Sequence, residues 1–161
     1  MINVLIWKLI RSFFSLTKIK KEITKLVSYA ICSKNKDEKS VYWGNINTIK
    51  ANEIFLKTGL NIEGYSYEID SSSIRHIFKH HSDKVKETNL KQVAISKKDF
   101  LLIPEILENY DIVVKGKKRK SGTYSIIFIK QIGKTYYIVE EVRKKKKTLA
   151  LKTMYIKGSS I

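Results

Sequence analysis

The sequence predicts an α+β fold in which N-terminal helices pack on one face of a four-stranded antiparallel sheet, connected as a meander. Up to about residue 110, most apolar side chains recur at helical intervals of three and four, and several segments begin with good helix caps. From Asp111 onward the period becomes that of strands, and short lysine-containing connections separate four β-rich runs. These runs are Ile112–Lys115, Tyr124–Lys130, Tyr136–Val142 and Thr148–Ile156.

The net charge of the protein indicates which classes of partner it binds. The 161 residues include 32 Lys and Arg against 15 Asp and Glu, which gives a formal net charge of +17. Because such a surplus weakens a compact state by self-repulsion, we expect an anionic partner, either nucleic acid or anionic lipid. Most of the cations are Lys, which attracts a phosphate backbone without reading bases in bidentate fashion. Cys32 is the single cysteine, so an internal disulfide is excluded.

Residues 2–31 are predicted to form one helix, because apolar side chains recur at helical spacing throughout. Lys8 and Arg11 interrupt the apolar run, which leaves it too short to span a bilayer, and the segment lacks the pattern of a signal peptide. Two interpretations stay open. The helix either lies on a membrane or a partner, as basic amphipathic helices do, or packs on the protein's own core.

The polar stretch Ser33–Ser40 predicts a boundary between a basic helical extension, residues 1–40, and an α+β domain, residues 41–161. The first half of this domain contains short strands and capped helices. The predicted elements are the strands Val41–Ile46 and Tyr65–Ile69 and the helices Ala51–Thr58, Ser71–His81, Lys97–Ile103 and Glu105–Glu108.

The last two predicted strands form a hairpin whose turn, Arg143–Lys147, is strongly basic. The final strand carries Lys152, Thr153 and Tyr155, and cations beside hydroxyls on a sheet suit an anionic phosphodiester. Regular alternation places Lys152 and Thr153 on opposite faces of the strand. Both can line one groove only if the strand contains a bulge, and Thr153 otherwise has a structural role.

All three histidines, His76, His80 and His81, lie in one predicted helix. Helical spacing puts His81 on the apolar side, near the rim of the sheet, and points the other two away from it. A helix C-terminus stabilises imidazolium, which favours an acid role for His81, although a structural histidine bonded to a carbonyl remains the alternative. His80 is expected to be solvated, and neither an HExxH motif nor a nearby cysteine supports zinc binding.

These residue types match cleavage of RNA by its own 2′-hydroxyl, without a metal. A histidine acting as base or acid contributes roughly 10²–10⁴-fold to such a reaction, and cations and hydroxyls stabilise the phosphorane. The candidate catalytic residues are His76, His81, Arg143, Lys152, Thr153 and Tyr155, with Glu141 as a further member. The candidate substrate-binding residues are Lys117, Lys118, Arg119, Lys130, Lys144, Lys145 and Lys146. No metal or cofactor is expected, because no acidic cluster suited to Mg²⁺ is evident.

The segments IRHIFKHHSD, FLLIPEILENYD and YYIVEEVRKKKKTLALKTMY resemble the phage-associated nuclease domains of the barnase–EndoU–colicin E5/D–RelE-like group, over roughly Val41 to Lys157. The resemblance implies an α+β fold with a four-stranded antiparallel sheet and metal-independent ribonuclease activity. The two histidines of the family's helix motif correspond to His76 and His81, and its last-strand motif to Leu151–Tyr155. Ser82 departs from the pattern, because Gly or Pro often follows the second histidine.

We therefore expect a small basic endoribonuclease domain of a phage effector or toxin. RNA is the expected substrate, with tRNA and rRNA as candidates, and an immunity protein or antitoxin is a candidate partner. The expected location is cytoplasmic, with residues 2–31 as a candidate contact to a membrane surface or a partner. The alternative is a non-catalytic nucleic-acid-binding module, which the charge and the basic loops would also explain.

Overall fold

A mixed β-sheet organises the fold in the computed structural model, which describes residues 3–158. Ile2, predicted to belong to the first helix, and residues 159–161 of the predicted domain lie outside the described residues. The strands are β1 Ser40–Trp43, β2 Ser66–Asp70, β3 Gln92–Val93, β4 Ile112–Lys115, β5 Ser125–Ile132, β6 Lys134–Arg143 and β7 Thr148–Lys157. They are arranged in the order β1-β2-β7-β6-β5-β4, and β3 pairs with the end of β7.

The α+β class is confirmed, but the prediction of a purely four-stranded antiparallel sheet is wrong. Strands β4 to β7 do form an antiparallel meander, and β1 and β2 extend it on the β7 side. Strand β2 runs parallel to β7, with Ser66 opposite Thr148 and Glu68 opposite Ala150. Because this pairing joins segments about eighty residues apart, no local pattern in the sequence could reveal it.

The helices are α1 Val4–Cys32, α2 Thr48–Thr58, α3 Ser71–His81, α4 Lys84–Asn89 and α5 Ile103–Glu108, with a 3₁₀ helix at Lys97–Leu102. Helix α3 begins where the cap residues predict, because Asp70 Oδ1 accepts a hydrogen bond of 2.7 Å from the backbone N–H of Ser73. Gly59 ends α2 with a left-handed φ of 71°. Helix α4 and strand β3 were not predicted from the sequence.

One face of the sheet forms the core, as the alternation of buried and half-buried residues along β6 indicates. The helices contact this sheet through α2 on β4, α3 on β2 and β7, and α5 on β5. The second half of α1 adds four buried apolar side chains to the same core, Ile23, Leu26, Val27 and Ala30. Each fully buried side chain of this kind stabilises the fold by about 1.5–3 kcal/mol.

The candidate site is positioned by a gap in the pairing along one edge of β7. Strand β2 pairs with residues 148–150 of β7, and β3 pairs with residues 156–157. Helix α3 follows β2 without a loop and contacts β7, so it occupies the edge between the two short strands. The histidine helix is therefore held beside the middle of β7, where Lys152 and Thr153 lie.

Within residues 3–158, no helix is long and apolar enough to cross a membrane.

Candidate active site

A β-bulge in β7 brings Lys152 and Thr153 to the same side of the sheet. Thr153 is opposite Val139, but the next residue of β6, Glu140, is opposite Leu151. Lys152 is the extra residue and has no partner on β6. The sequence analysis required a bulge for Lys152 and Thr153 to line the same groove, and this bulge is present. Leu151 faces the core, while Lys152 and Thr153 both line one groove.

That groove, of about 400 Å³, lies on the half-buried face of the sheet and is called the central groove below. Its floor comes from β5, β6 and β7, and its walls come from α3 and from the loop between β4 and β5. The residues that line it are His76, Lys117, Lys118, Arg119, Ser125, Ile127, Val139, Glu141, Lys152 and Thr153. Four predicted catalytic residues, counting Glu141, and three predicted substrate-binding residues therefore converge on one hollow.

His76 lies in the central groove among positive charges. Its ring centroid lies 4.5 Å from that of His80, one helical turn further along α3. Partial burial lowers the pKa of His76, and the positive charges of His80, Lys152, His81 and Lys79 lower it further. His76 is therefore largely neutral at neutral pH, which is the form that accepts a proton.

The basic loop between β4 and β5 is fixed against the sheet at both ends. Gly116 donates a backbone hydrogen bond of 2.8 Å to Ser125, and a Cβ at Gly116 would lie 2.1 Å from the Ser125 hydroxyl. Only glycine allows this close approach. Further along, Arg119 Nη1 lies 3.0 Å from Glu141 Oε2, which ties the loop to β6. The cations of the loop are thus held over the groove.

Arg143 is held by carboxylates. Its Nη1 lies 3.2 Å from Glu68 Oε1 and its Nη2 lies 3.4 Å from Asp70 Oδ2, and both acids are about 1% exposed. The Thr148 hydroxyl donates a hydrogen bond of 2.8 Å to Glu68. Burial would raise the pKa of Asp70, but hydrogen bonds from Ser73 and Ser72 and the charge of Arg143 outweigh it and leave the pKa lowered. Arg143 therefore connects β6 to β2 and to the start of α3.

The sequence analysis missed Glu68 and Asp70 as partners of Arg143. A signal was present, because two acids at alternate positions of a predicted strand share a face and need cations when buried. A third buried acid, Glu140, lies on the core face of β6, and neither of its oxygens has a hydrogen-bond partner among the described residues. Burial raises the pKa of Glu140 well above its usual range.

His81 does not line the central groove. Its Nδ1 lies 3.2 Å from Oε2 of Glu87, a buried residue of α4, and its backbone carbonyl accepts a hydrogen bond from Ile95. The contact with Glu87 orients the imidazole, and the sequence could not reveal it because α4 was not predicted. The catalytic role of His81 remains a prediction.

The other predicted residues do not line the central groove. Tyr155 is on the same side of β7 as Thr153, and its ring stacks on Tyr137 with centroids 4.7 Å apart. Lys130 is paired with Asp111 at 2.9 Å, and alternation places it on the opposite face of β5 from Ile127. Lys144, Lys145 and Lys146 line a second hollow of about 440 Å³, which also includes Arg143 and Glu141. Glu141 therefore borders both hollows.

Within residues 3–158, no group of three or more His, Cys, Asp or Glu side chains is placed to hold a metal ion.

The fold and the central groove define a small α+β domain with a basic, histidine-bearing cleft. Comparison with known families identifies this domain as a nuclease domain. Residues 44–161 match the family described as phage-Barnase-EndoU-ColicinE5/D-RelE like nuclease3, and the chain belongs to this family. No curated protein and no solved structure matches the chain. The family match confirms the resemblance seen in the sequence.

Proposed function

We propose that this nuclease domain is an endoribonuclease that cleaves RNA in the central groove by attack of the 2′-hydroxyl, without a metal. One observation carries the proposal. His76, Lys152 and Thr153 come from a helix and from a bulged strand, and they line the same hollow as the cations of the Lys117–Arg119 loop. Side chains that serve only the core or are only solvated have no reason to converge on one hollow. Phosphoryl transfer, in contrast, needs a base and cations around one phosphate.

In this proposal His76 is the general base. Its lowered pKa keeps the imidazole neutral near pH 7, so it takes the proton from the 2′-hydroxyl as that oxygen attacks phosphorus. The new bond closes a 2′,3′-cyclic phosphate, and the bond from phosphorus to the 5′-oxygen breaks. The departing 5′-oxygen must take up a proton, and we propose His81 as its source, with its ring oriented by Glu87. Because His81 does not line the central groove in the free protein, this role requires that RNA binding brings the 5′-oxygen within hydrogen-bond reach of its ring.

Lys152 and Thr153 are proposed to stabilise the charge that develops on the phosphorane. The ammonium group of Lys152 places positive charge beside the non-bridging oxygens, and the hydroxyl of Thr153 donates a hydrogen bond to one of them. Arg143 is proposed as a positioning residue, because Glu68 and Asp70 already engage its guanidinium group. Tyr155 and Tyr137 form an aromatic pair next to the reacting residues, where a neighbouring nucleotide would lie.

The test is digestion of single-stranded RNA by the purified chain in excess EDTA, followed by analysis of the new ends. We expect cleavage to continue in chelator and to leave 2′,3′-cyclic phosphates, and we expect an RNA with 2′-O-methyl groups to stay intact. RNA binding without cleavage would instead favour the non-catalytic binding module. Cleavage that stops in EDTA, or that cuts the methylated RNA equally well, would defeat the proposed chemistry.

The basic loop provides a second prediction, on salt dependence. Replacing Lys117, Lys118 and Arg119 together by alanine removes three of the cations that face the groove. Each phosphate contact contributes about 0.7 to the slope of log K against log salt for a single strand, so the slope should fall by about 2. Fluorescence anisotropy with labelled RNA over a series of salt concentrations measures this slope.

The matched control for this variant replaces by alanine three exposed lysines that do not line the groove, Lys34, Lys57 and Lys84. It has the same net charge but should keep a slope close to that of the wild type. Equal slopes for the two triple variants would show that the loop does not contact the phosphates.

The family description contains the word phage and the names of bacterial toxins, and it supports a toxin or phage context for the chain. We propose that the chain has an acidic immunity protein or antitoxin that covers the central groove, since a formal net charge of +17 favours an anionic inhibitor.

A further inference from the structure

The two halves of α1 have different surroundings. Between residues 23 and 30 the helix buries four apolar side chains in the core. Residues 4–14 bury none, and the exposed fractions of their large apolar side chains run from 39% for Ile10 to 71% for Val4. The exposed set is Val4, Leu5, Ile6, Trp7, Leu9, Ile10, Phe13 and Phe14. A surface of this size on a folded protein marks an interaction site.

Most of this apolar surface points away from the protein's own core. At about 100° per residue, the side of α1 that carries Ile23 and Ala30 continues toward the N-terminus through Ser12, Lys8 and Leu5. Ser12 and Ser15 line a hollow of about 200 Å³ together with Pro104 and other residues of the domain. The side of this segment that faces the domain is therefore mixed, and Leu5 on it is still 67% exposed, whereas Ile6, Ile10 and Phe14 point away from the domain.

The width of the apolar surface distinguishes between possible occupants. From Leu5 to Trp7, apolar side chains cover an arc of about 200° on the helical wheel. A second helix packs against a narrower stripe and would leave much of this arc in water. A bilayer interface accommodates the whole arc. Trp7 lies at one margin of the arc, next to Arg11, where its ring would meet the headgroup region.

Positively charged side chains follow the apolar ones along the same outward side of α1. The stripe that begins with apolar residues at positions 7, 10 and 14 continues at the same spacing through Lys18, Lys21 and Lys25. These three lysines are exposed, and within residues 3–158 none has a carboxylate within 4 Å. Residues 3–21 contain no Asp or Glu. Such a stripe complements anionic headgroups beside an embedded apolar segment.

We propose that α1 binds the surface of a bilayer that contains anionic lipid. Residues 4–14 lie along the interface with the apolar arc in the acyl boundary, Lys18, Lys21 and Lys25 contact headgroups, and the domain stays on the aqueous side. Because no described helix can cross a membrane, the contact is peripheral. The proposal is independent of the nuclease chemistry, since the central groove is lined by none of the residues of α1.

The experiment is flotation of the full chain with vesicles of phosphatidylcholine alone and of phosphatidylcholine with phosphatidylglycerol. We expect flotation with the mixed vesicles and a blue shift of the emission of Trp7, which is exposed in the free protein. The double change Phe13→Ser and Phe14→Ser should weaken binding at least about tenfold. The matched control, Ile49→Ser with Leu56→Ser, removes two side chains that are 81% and 82% exposed on α2 and should bind normally.

The charge contribution is tested by the triple change of Lys18, Lys21 and Lys25 to Gln, with Lys34, Lys57 and Lys84 changed to Gln as the control of equal charge. Only the first triple variant should lose affinity for the mixed vesicles. A wild-type chain that does not float overturns the proposal, and so does equal loss in both triple variants. A dimer in sedimentation velocity that the Phe13 and Phe14 changes dissociate, without any flotation, would identify a second copy as the occupant instead.

Discussion

Replacing His76 by alanine is expected to lower kcat on RNA by about 10²–10⁴-fold, the contribution of one positioned proton-transfer group. RNA binding should persist, because the cations of the central groove remain in place. Single-turnover cleavage and fluorescence anisotropy on the same RNA measure the two quantities separately. If the His76→Ala protein cleaves at the wild-type rate, His76 is not the base.

The matched control is His80→Ala, which removes the neighbouring imidazole, 4.5 Å away between centroids, without touching the groove lining. It should cleave RNA at close to the wild-type rate near neutral pH. Because a base is active when deprotonated, the rate should rise with pH to a plateau, with a midpoint below the usual pKa of histidine. Removing His80 takes away one positive charge that lowers the pKa of His76, so this rise should move to higher pH. A pH profile that does not move would argue against His76 as the titrating group.

Replacing Arg143 by methionine is expected to destabilise the protein by about 3–5 kcal/mol, the usual cost of removing one partner from a buried ion pair. The change leaves the buried carboxylates Glu68 and Asp70 without their guanidinium partner. Glu140 lies close enough to both acids for their charges to raise its pKa. Urea unfolding followed by circular dichroism measures the free energy of unfolding of the variant and of the wild type.

Lys144→Met is the control, since it removes an exposed cation without a carboxylate partner among the described residues from the next position. The pH dependence adds a second readout. The pKa of Asp70 is lowered in the folded protein, so the stability that Asp70 contributes is present above its unfolded value of about 3.9. It is lost as the pH falls through the lowered folded value. Part of this acid dependence should disappear in the Arg143→Met protein. Equal stability of the two variants would mean that the carboxylates have other partners.

Local patterns in the sequence predicted the elements well, and they failed where distant segments meet. The cap at Asp70 and the meander from Ile112 to Lys157 follow from short-range signals, with strand ends shifted by one or two residues. The parallel pairing of Ser66–Asp70 with the last strand has no such signal. Neither does the short helix at Lys84–Asn89, whose six residues carry little periodicity.

The candidate site was predictable in residue type but only partly in position. Alternation alone sets Lys152 and Thr153 on opposite faces, and the extra residue that brings them together is a property of the pairing with β6. The wheel of the histidine helix favoured His81 for the sheet side, and the structure places His76 in the groove instead. The reason is that α3 lies at the edge of β7, so a side chain pointing away from the core can still reach the other face of the sheet.

One consequence concerns how mutational scans of this protein would be interpreted. Asp70 caps α3 through one oxygen and binds Arg143 through the other, so the ion pair joins the end of β6 to the start of the helix that carries His76. A scan that scores only lost activity would rank Arg143, Asp70 and Glu68 with the reacting groups, although none of them lines the central groove. Scoring abundance beside activity would separate the scaffold of the catalytic geometry from the chemistry itself.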